Sequence, residues 1–260
     1  MKVRDWINAI RRQAASLREP ADAPEIARWQ KALSDFGYPY DLISGAGAAG
    51  AFASAQAVGG RDNFVPVIIV PGHWSSQRIA PNKRVMRAQE MSHEAFDAAY
   101  GEQFLADGLL SMYDDLEIDP DNPLPDEFDR LEPMESVAPA SDLSIVKRWD
   151  QVAIVRVPAA SAEELPAYFE WGGWNAVPEP QIIVAVARHW RAAYGAELVA
   201  MGPDLLEFYV PRKPQDHSAA IALLKEQYVF SPDSFEFGQK YLEEAAAQLR
   251  SSNSWVFWWD

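Results

Sequence analysis

Apolar residues recur at helical spacing near the start of the chain. Val3, Ile7, Ile10, Ala14 and Leu17 fall on one face, with Lys2, Arg4, Arg11, Arg12 and Arg18 around them. The spacing predicts an amphipathic helix over 3–17 packed on its own domain; a basic helix of this kind can also lie on a membrane. A second helix is predicted over Pro24 to Phe36, with Pro24 in its first turn and Gly37 ending it. Tyr38 to Ile43 then reads as a strand, GAGAAG (45–50) as a small-residue loop, Ala51 to Val58 as a helix and Val65 to Val70 as a strand. Ser92, followed by His93 and Glu94, reads as the N-cap of a helix running to about Tyr113. The periodicity stops there. Seven acids and five prolines lie between Asp119 and Ala140, the composition of an exposed linker or long loop.

Alternation resumes beyond it. Val152 to Val157 reads as a strand, and Ser161 with Glu164 as a capping box that opens a short helix. The string WGGWN (171–175) reads as a loop. Pro180 to Tyr194 reads as a helix with Ile182, Val186, His189 and Trp190 on one face and Gly195 as its cap. Glu197 to Met201 and Leu205 to Val210 flank Gly202-Pro203-Asp204, which suits a hairpin. Helices follow at about Gln215 to Tyr228 and Asp233 to Arg250. Trp255 to Trp259 reads as a strand, with Trp255 and Trp259 on one face and Trp258 on the other. The fold class that results is α+β, an antiparallel or mixed sheet flanked by helices, with a helix-rich α/β N-terminal portion. The expected division is an N-terminal portion at 1–113, a linker at 114–140 and a C-terminal α+β domain at 141–260.

Composition narrows the picture. At 260 residues and 48% apolar, the chain is an ordinary globular protein. It has no run of about 18 apolar residues and no apolar core after Lys2 and Arg4, so neither a membrane span nor a secretory signal is expected. Cysteine is absent, which excludes disulfides and thiolate metal sites. Together these features favour the cytoplasm. The net charge of −15 argues against nucleic acid as a partner. It suits a self-repelling surface, or a face that docks on a basic protein.

The candidate chemistry is sparse. GAGAAG has the formal G-x-G-x-x-G spacing, but Val70, Pro71, Gly72 and His73 stand where a dinucleotide site wants an acid. An EF-hand starting at Asp119 fails, because Leu124 replaces the glycine and Arg130 the glutamate. The four histidines, His73, His93, His189 and His217, show no metal-binding spacing. No cofactor is expected. Glu197, Asp204, Glu207, Glu226 and Asp233 form the better cluster. Glu197 and Glu207 lie on strands expected to pair, where two carboxylates on one face can hold a metal or share a proton. The plainer reading puts these acids on a solvent face, in a turn and at a helix start. In Trp171, Gly172, Gly173, Trp174 and Asn175, two glycines free the backbone between two large rings. Those rings, with Trp258, either bind a flat ligand or peptide, or plug the core.

These strings taken together resemble the bacterial domain family of unknown function numbered 4253. The resemblance rests on WGGWN-x-x-P-x-P, HWRAAYGAEL with D-x-x-E, EQY-x-F-x-P-D and the terminal W-x-F-WWD, and covers about 152–260. Where the family often has cysteines, this chain has Val177 and Ser231. The resemblance implies no established activity. Small acidic bacterial proteins of this kind are sometimes encoded beside toxins, so the expectation is a non-enzymatic acidic binding protein, by analogy an immunity protein against a bacterial toxin. The alternatives are an enzyme, such as a metal-assisted hydrolase, built on the carboxylates, and a small-ligand binder built on the aromatic loop.

Overall fold

The computed structural model describes residues 23–74, 81–93, 96–115, 146, 149–234 and 239–259. The basic helix expected over 3–17 and the acidic, proline-rich stretch from 116 onward lie outside the described residues.

Helix α1 (Ala23–Phe36) buries Trp29, Ala32, Leu33 and Phe36, a single i, i+3, i+4, i+7 stripe. Gly37, at φ +77°, ends it as expected. Strand β1 (Tyr40–Ser44) leads into helix α2 (Ala48–Asp62), which is longer than the spacing predicted, and then into β2 (Val65–Ile69). At Gly45 a Cβ would lie 1.8 Å from the Trp149 carbonyl oxygen, so the glycine is needed for backbone packing.

The segment after β2 corrects one expectation. Ser92 does not cap a helix; it closes one. Helix α3 (Pro81–Met91) precedes it, and the Ser92 amide donates to the Ala88 carbonyl. Helix α4 (Ala98–Asp115) starts after Asp97, whose carboxylate accepts from the Tyr100 amide at 2.9 Å. Helix α3 escaped prediction because its buried positions are Arg84 and Ala88, where a periodicity search looks for large aliphatic residues.

Strand β3 (Gln151–Val157) and helix α5 (Leu165–Phe169) follow. The capping box at Ser161 does not form. Ser161 makes no side-chain cap bond, and the Glu164 carboxylate accepts from the Ala160 amide, one residue too early. Helix α6 (Pro180–Tyr194), strands β4 (Glu197–Met201) and β5 (Leu205–Tyr209), helix α7 (His217–Phe230), helix α8 (Gln239–Ser251) and strand β6 (Ser254–Trp258) complete the order. Helix α8 begins later than Asp233, which sits in a 3₁₀ turn at Pro232–Ser234.

The six strands form one mixed sheet in the order β1-β3-β2-β4-β5-β6. All neighbours are antiparallel except β2 and β4. Helices surround the sheet, and the class is α+β. Strand β3 inserts between β1 and β2, so strands from both sides of the acidic stretch share one sheet. The larger core lies on the face carrying Val67, Val155, Leu206, Phe208 and Phe257, under α1 and α4 to α8. The smaller core lies on the opposite face, where Ile68, Ile154 and Val199 meet Ala48 and Phe52 of α2. Among the described residues no helix is long and apolar enough to cross a membrane.

Candidate functional site

The tryptophans of the C-terminal portion build an aromatic hub. Trp190, fully buried on α6, stacks on Phe257 at 5.2 Å and meets Phe208, Phe230 and Trp255 edge-on. Trp259 packs edge-on against Phe230 and Trp171. Trp171 in turn meets Trp174 at 4.8 Å. Such edge-to-face pairs add to what burial alone supplies. Trp171 is buried, and its indole N–H donates to the Gly202 carbonyl at 2.7 Å, which ties the loop to the β4–β5 turn. Trp174 is half-buried.

The two glycines after Trp171 are required by geometry. Gly172 has φ +123° and Gly173 has φ +79°, and Asn175 is left-handed at φ 45°. A Cβ on Gly172 would stand 2.3 Å from the Pro178 carbonyl oxygen. The Gly173 amide donates back to Pro178 at 2.9 Å. This tight return exposes the glycine backbone to a cleft of about 440 Å³ between α3, the end of α5 and the start of α6.

Three carboxylates, Glu90, Glu170 and Glu179, and one guanidinium, Arg87, line that cleft. Glu170 is unusual. It is the left-handed residue that ends α5, at φ 50°, and its side chain is 6% exposed. Neither carboxylate oxygen has a hydrogen-bond partner. Arg87 Nε lies 3.7 Å from Oε1, close enough for attraction and too far for a hydrogen bond. A buried carboxylate without hydrogen bonds is costly, and the nearby Arg87 charge offsets part of that cost. Behind it, burial raises the Tyr38 phenol well above its ordinary pKa, with Arg84 opposing and Tyr168 and Glu170 reinforcing. Tyr38 donates to the Tyr168 carbonyl at 2.9 Å, so this wall is fixed.

Residues 153–260 match the model of the family described as Domain of unknown function (DUF4253). The match covers the C-terminal portion of the chain. No curated protein and no solved structure matches the chain significantly.

The strings that carry the resemblance meet one another in the matched portion. Glu226 of EQYVF accepts from Trp190 Nε1 at 2.8 Å and contacts His189 Nε2 at 3.3 Å, joining α7 to α6. The hydrogen bond to Glu226 raises the His189 pKa; burial opposes it, and the charges of Glu226 and Glu102 add to it. Ser231 and Ser234 hold the edge of β6: both hydroxyls donate to the Trp258 carbonyl, and the Trp258 amide donates to Ser234 Oγ at 2.7 Å. Trp258 itself is half-buried against the smaller core. Val177 and Ser231 are both buried.

The carboxylates singled out from the sequence lie apart. Glu197 opens β4 opposite Tyr209 and pairs with Arg191 at 4.0 Å. Glu207, fully buried on β5, accepts from Ser254 Oγ at 2.7 Å. A bulge between Leu198 and Ala200 separates the two positions. Asp204 is half-buried in the β4–β5 turn, where its carbonyl accepts from the Trp259 amide, and Asp233 is exposed beside β6. Among the described residues no group of three or more histidine, aspartate or glutamate side chains is placed to hold a metal ion. A second cleft of about 690 Å³ includes Glu164, Arg191 and Glu197. There Arg188 pairs with Glu164 and Arg191 with Glu163, so its charges already offset one another. Glu170, Glu90 and Arg87 were not singled out from the sequence. The available signal was an acid directly before Trp171; Arg87 and Glu90 lie on α3, which the pattern concealed.

Proposed function

We propose that the chain is a non-enzymatic acidic binding protein of the bacterial cytoplasm whose partner is a basic protein. The specific case we favour is an immunity protein that neutralises a toxin. The observation that carries this reading is the cleft beside Gly172 and Gly173, where three carboxylates, Glu90, Glu170 and Glu179, face one arginine, Arg87. The net charge of −15 supports it, since a strongly acidic surface steers a basic partner and speeds encounter. The packed hub supports it as well. A loop anchored by Trp171 loses little freedom on binding, and preorganisation of this kind favours affinity.

The test is co-purification from the source cells at low and high salt, with survival of cells challenged by the product of a neighbouring toxin gene. The reading expects a basic partner whose retention falls as salt rises, and protection when the chain is present. No partner at any salt, with equal killing in both strains, would defeat it.

A further inference from the structure

Two phenols meet behind the second cleft, and only one of them is spent. Tyr38 donates to the Tyr168 carbonyl at 2.9 Å, with the two ring centroids 6.5 Å apart. Tyr168 sits on α5, where every residue is buried, and is itself 2% exposed. A phenol carried this far into a core normally finds a hydrogen-bond partner. The Tyr168 hydroxyl has none among the described residues. Nor is it sealed, as the unpartnered indole nitrogens of Trp29, Trp255 and Trp259 are; Tyr168 lines the cleft of about 690 Å³. We infer that this cleft is a binding site for a small uncharged amide, whose carbonyl oxygen accepts from the Tyr168 hydroxyl. The site shares no lining residue with the cleft beside Gly172 and Gly173, and it needs no basic partner.

The walls favour a neutral ligand. Arg188 pairs with Glu164 at 3.2 Å and Arg191 with Glu163 at 2.7 Å, so each of these charges already has its opposite. Glu197, 4.0 Å from Arg191 and 38% exposed, stands where water screens it. An ion entering between such pairs loses hydration and gains no counter-charge. Burial, and after it the Glu164 charge, hold the Tyr168 phenol above its ordinary pKa, so it stays a neutral donor. Gln56, Asn63 and Gln89 line the cleft and are exposed. A side-chain amide both donates and accepts, as the amide of the ligand does. Phe52, Phe64, Pro66 and Leu198 supply apolar wall. The volume falls in the range of small-molecule clefts.

Amide-resolved NMR titrations of the full chain with three compounds of one shape test the assignment. N-acetylleucine amide is neutral, N-acetylleucine is an anion, and leucine amide is a cation at about pH 6. Saturable shifts at Asn63, Phe64, Ala160 and Ser161 are expected for the neutral compound, with Kd on the order of millimolar. Both ions should bind about tenfold more weakly or not at all. Tyr168→Phe should weaken the neutral compound about three- to tenfold. The same variant should keep the wild-type urea midpoint, because the hydroxyl bonds no protein group. Absence of saturable shifts at the cleft, equal binding of either ion, or undiminished binding by Tyr168→Phe would overturn the assignment. So would a lower urea midpoint for Tyr168→Phe, which would mean that the hydroxyl is spent inside the protein. Tighter binding of N-acetylalanyl-leucyl-alanine amide than of N-acetylleucine amide would overturn the small molecule in favour of an extended peptide segment.

Discussion

Two buried tryptophans of the hub differ in one atom's circumstances, and that difference sets a stability prediction. The Trp190 indole N–H donates to Glu226 at 2.8 Å, whereas the Trp259 indole N–H is buried with no partner. Replacing either by phenylalanine removes a similar area of buried ring, roughly 1 kcal/mol. Trp190→Phe also loses a hydrogen bond to a charged acceptor, about 1.5–3 kcal/mol. Glu226 is 24% exposed, so the lower end applies, and the variant should cost about 2–3 kcal/mol. Trp259→Phe instead relieves an unpaired buried donor, which returns about 1–3 kcal/mol and makes the change close to neutral. Urea unfolding followed by far-UV circular dichroism reads both without relying on the altered fluorophores, provided m is unchanged. Trp190→Phe should be less stable than Trp259→Phe by about 2 kcal/mol. Equal costs within roughly 0.5 kcal/mol would refute the reasoning.

Four further outcomes follow from the same packing. Gly172→Ala should cost more than about 2 kcal/mol, from strain at φ +123° and a Cβ 2.3 Å from a carbonyl oxygen. Gly60→Ala on α2, with nothing within 4 Å of the new Cβ, should stabilise by about 0.5–1 kcal/mol; urea melts of the pair check both signs. The folded-state pKa of His189 is raised above its ordinary 6.5, so its contribution is complete below that pH and fades as pH rises through the folded value. The stability gap between wild type and His189→Gln should therefore shrink from pH 5 to pH 8, and a gap that widens would contradict the Glu226 contact. Removing residues 258–260 deletes Trp259 and the groups held by Ser231 and Ser234; it should cost about 3–5 kcal/mol, read as a lower Tm.

The elements with strong periodicity were legible before the structure. Helix α1 buries one stripe, whereas α6 is buried at every position from Ile183 to Ala187 and so on more than the one face its spacing predicted; both end at the expected glycines, Gly37 and Gly195, and the β4–β5 hairpin turns where Gly202-Pro203-Asp204 stands. Helix α3 was hidden because an arginine occupies its core face, and a buried guanidinium looks like a solvent residue in a pattern of polarity. The parallel β2–β4 pairing and the insertion of β3 between β1 and β2 are non-local and leave no local mark. The glycine loop was visible as a site candidate, but the sense of it was not. Trp171 faces inward, and the exposed chemistry belongs to its neighbours. Glu170 becomes notable only when α3 brings Arg87 across the cleft. The carboxylates of β4 and β5 looked like a pair by alternation, and the bulge after Leu198 and the Arg191 ion pair give them separate surroundings.

Co-purification of the full chain from its source cells at low and at high salt tests the central claim most directly. A basic protein retained at low salt and released as salt rises is the predicted result. Recovery of no basic partner at either salt would contradict it.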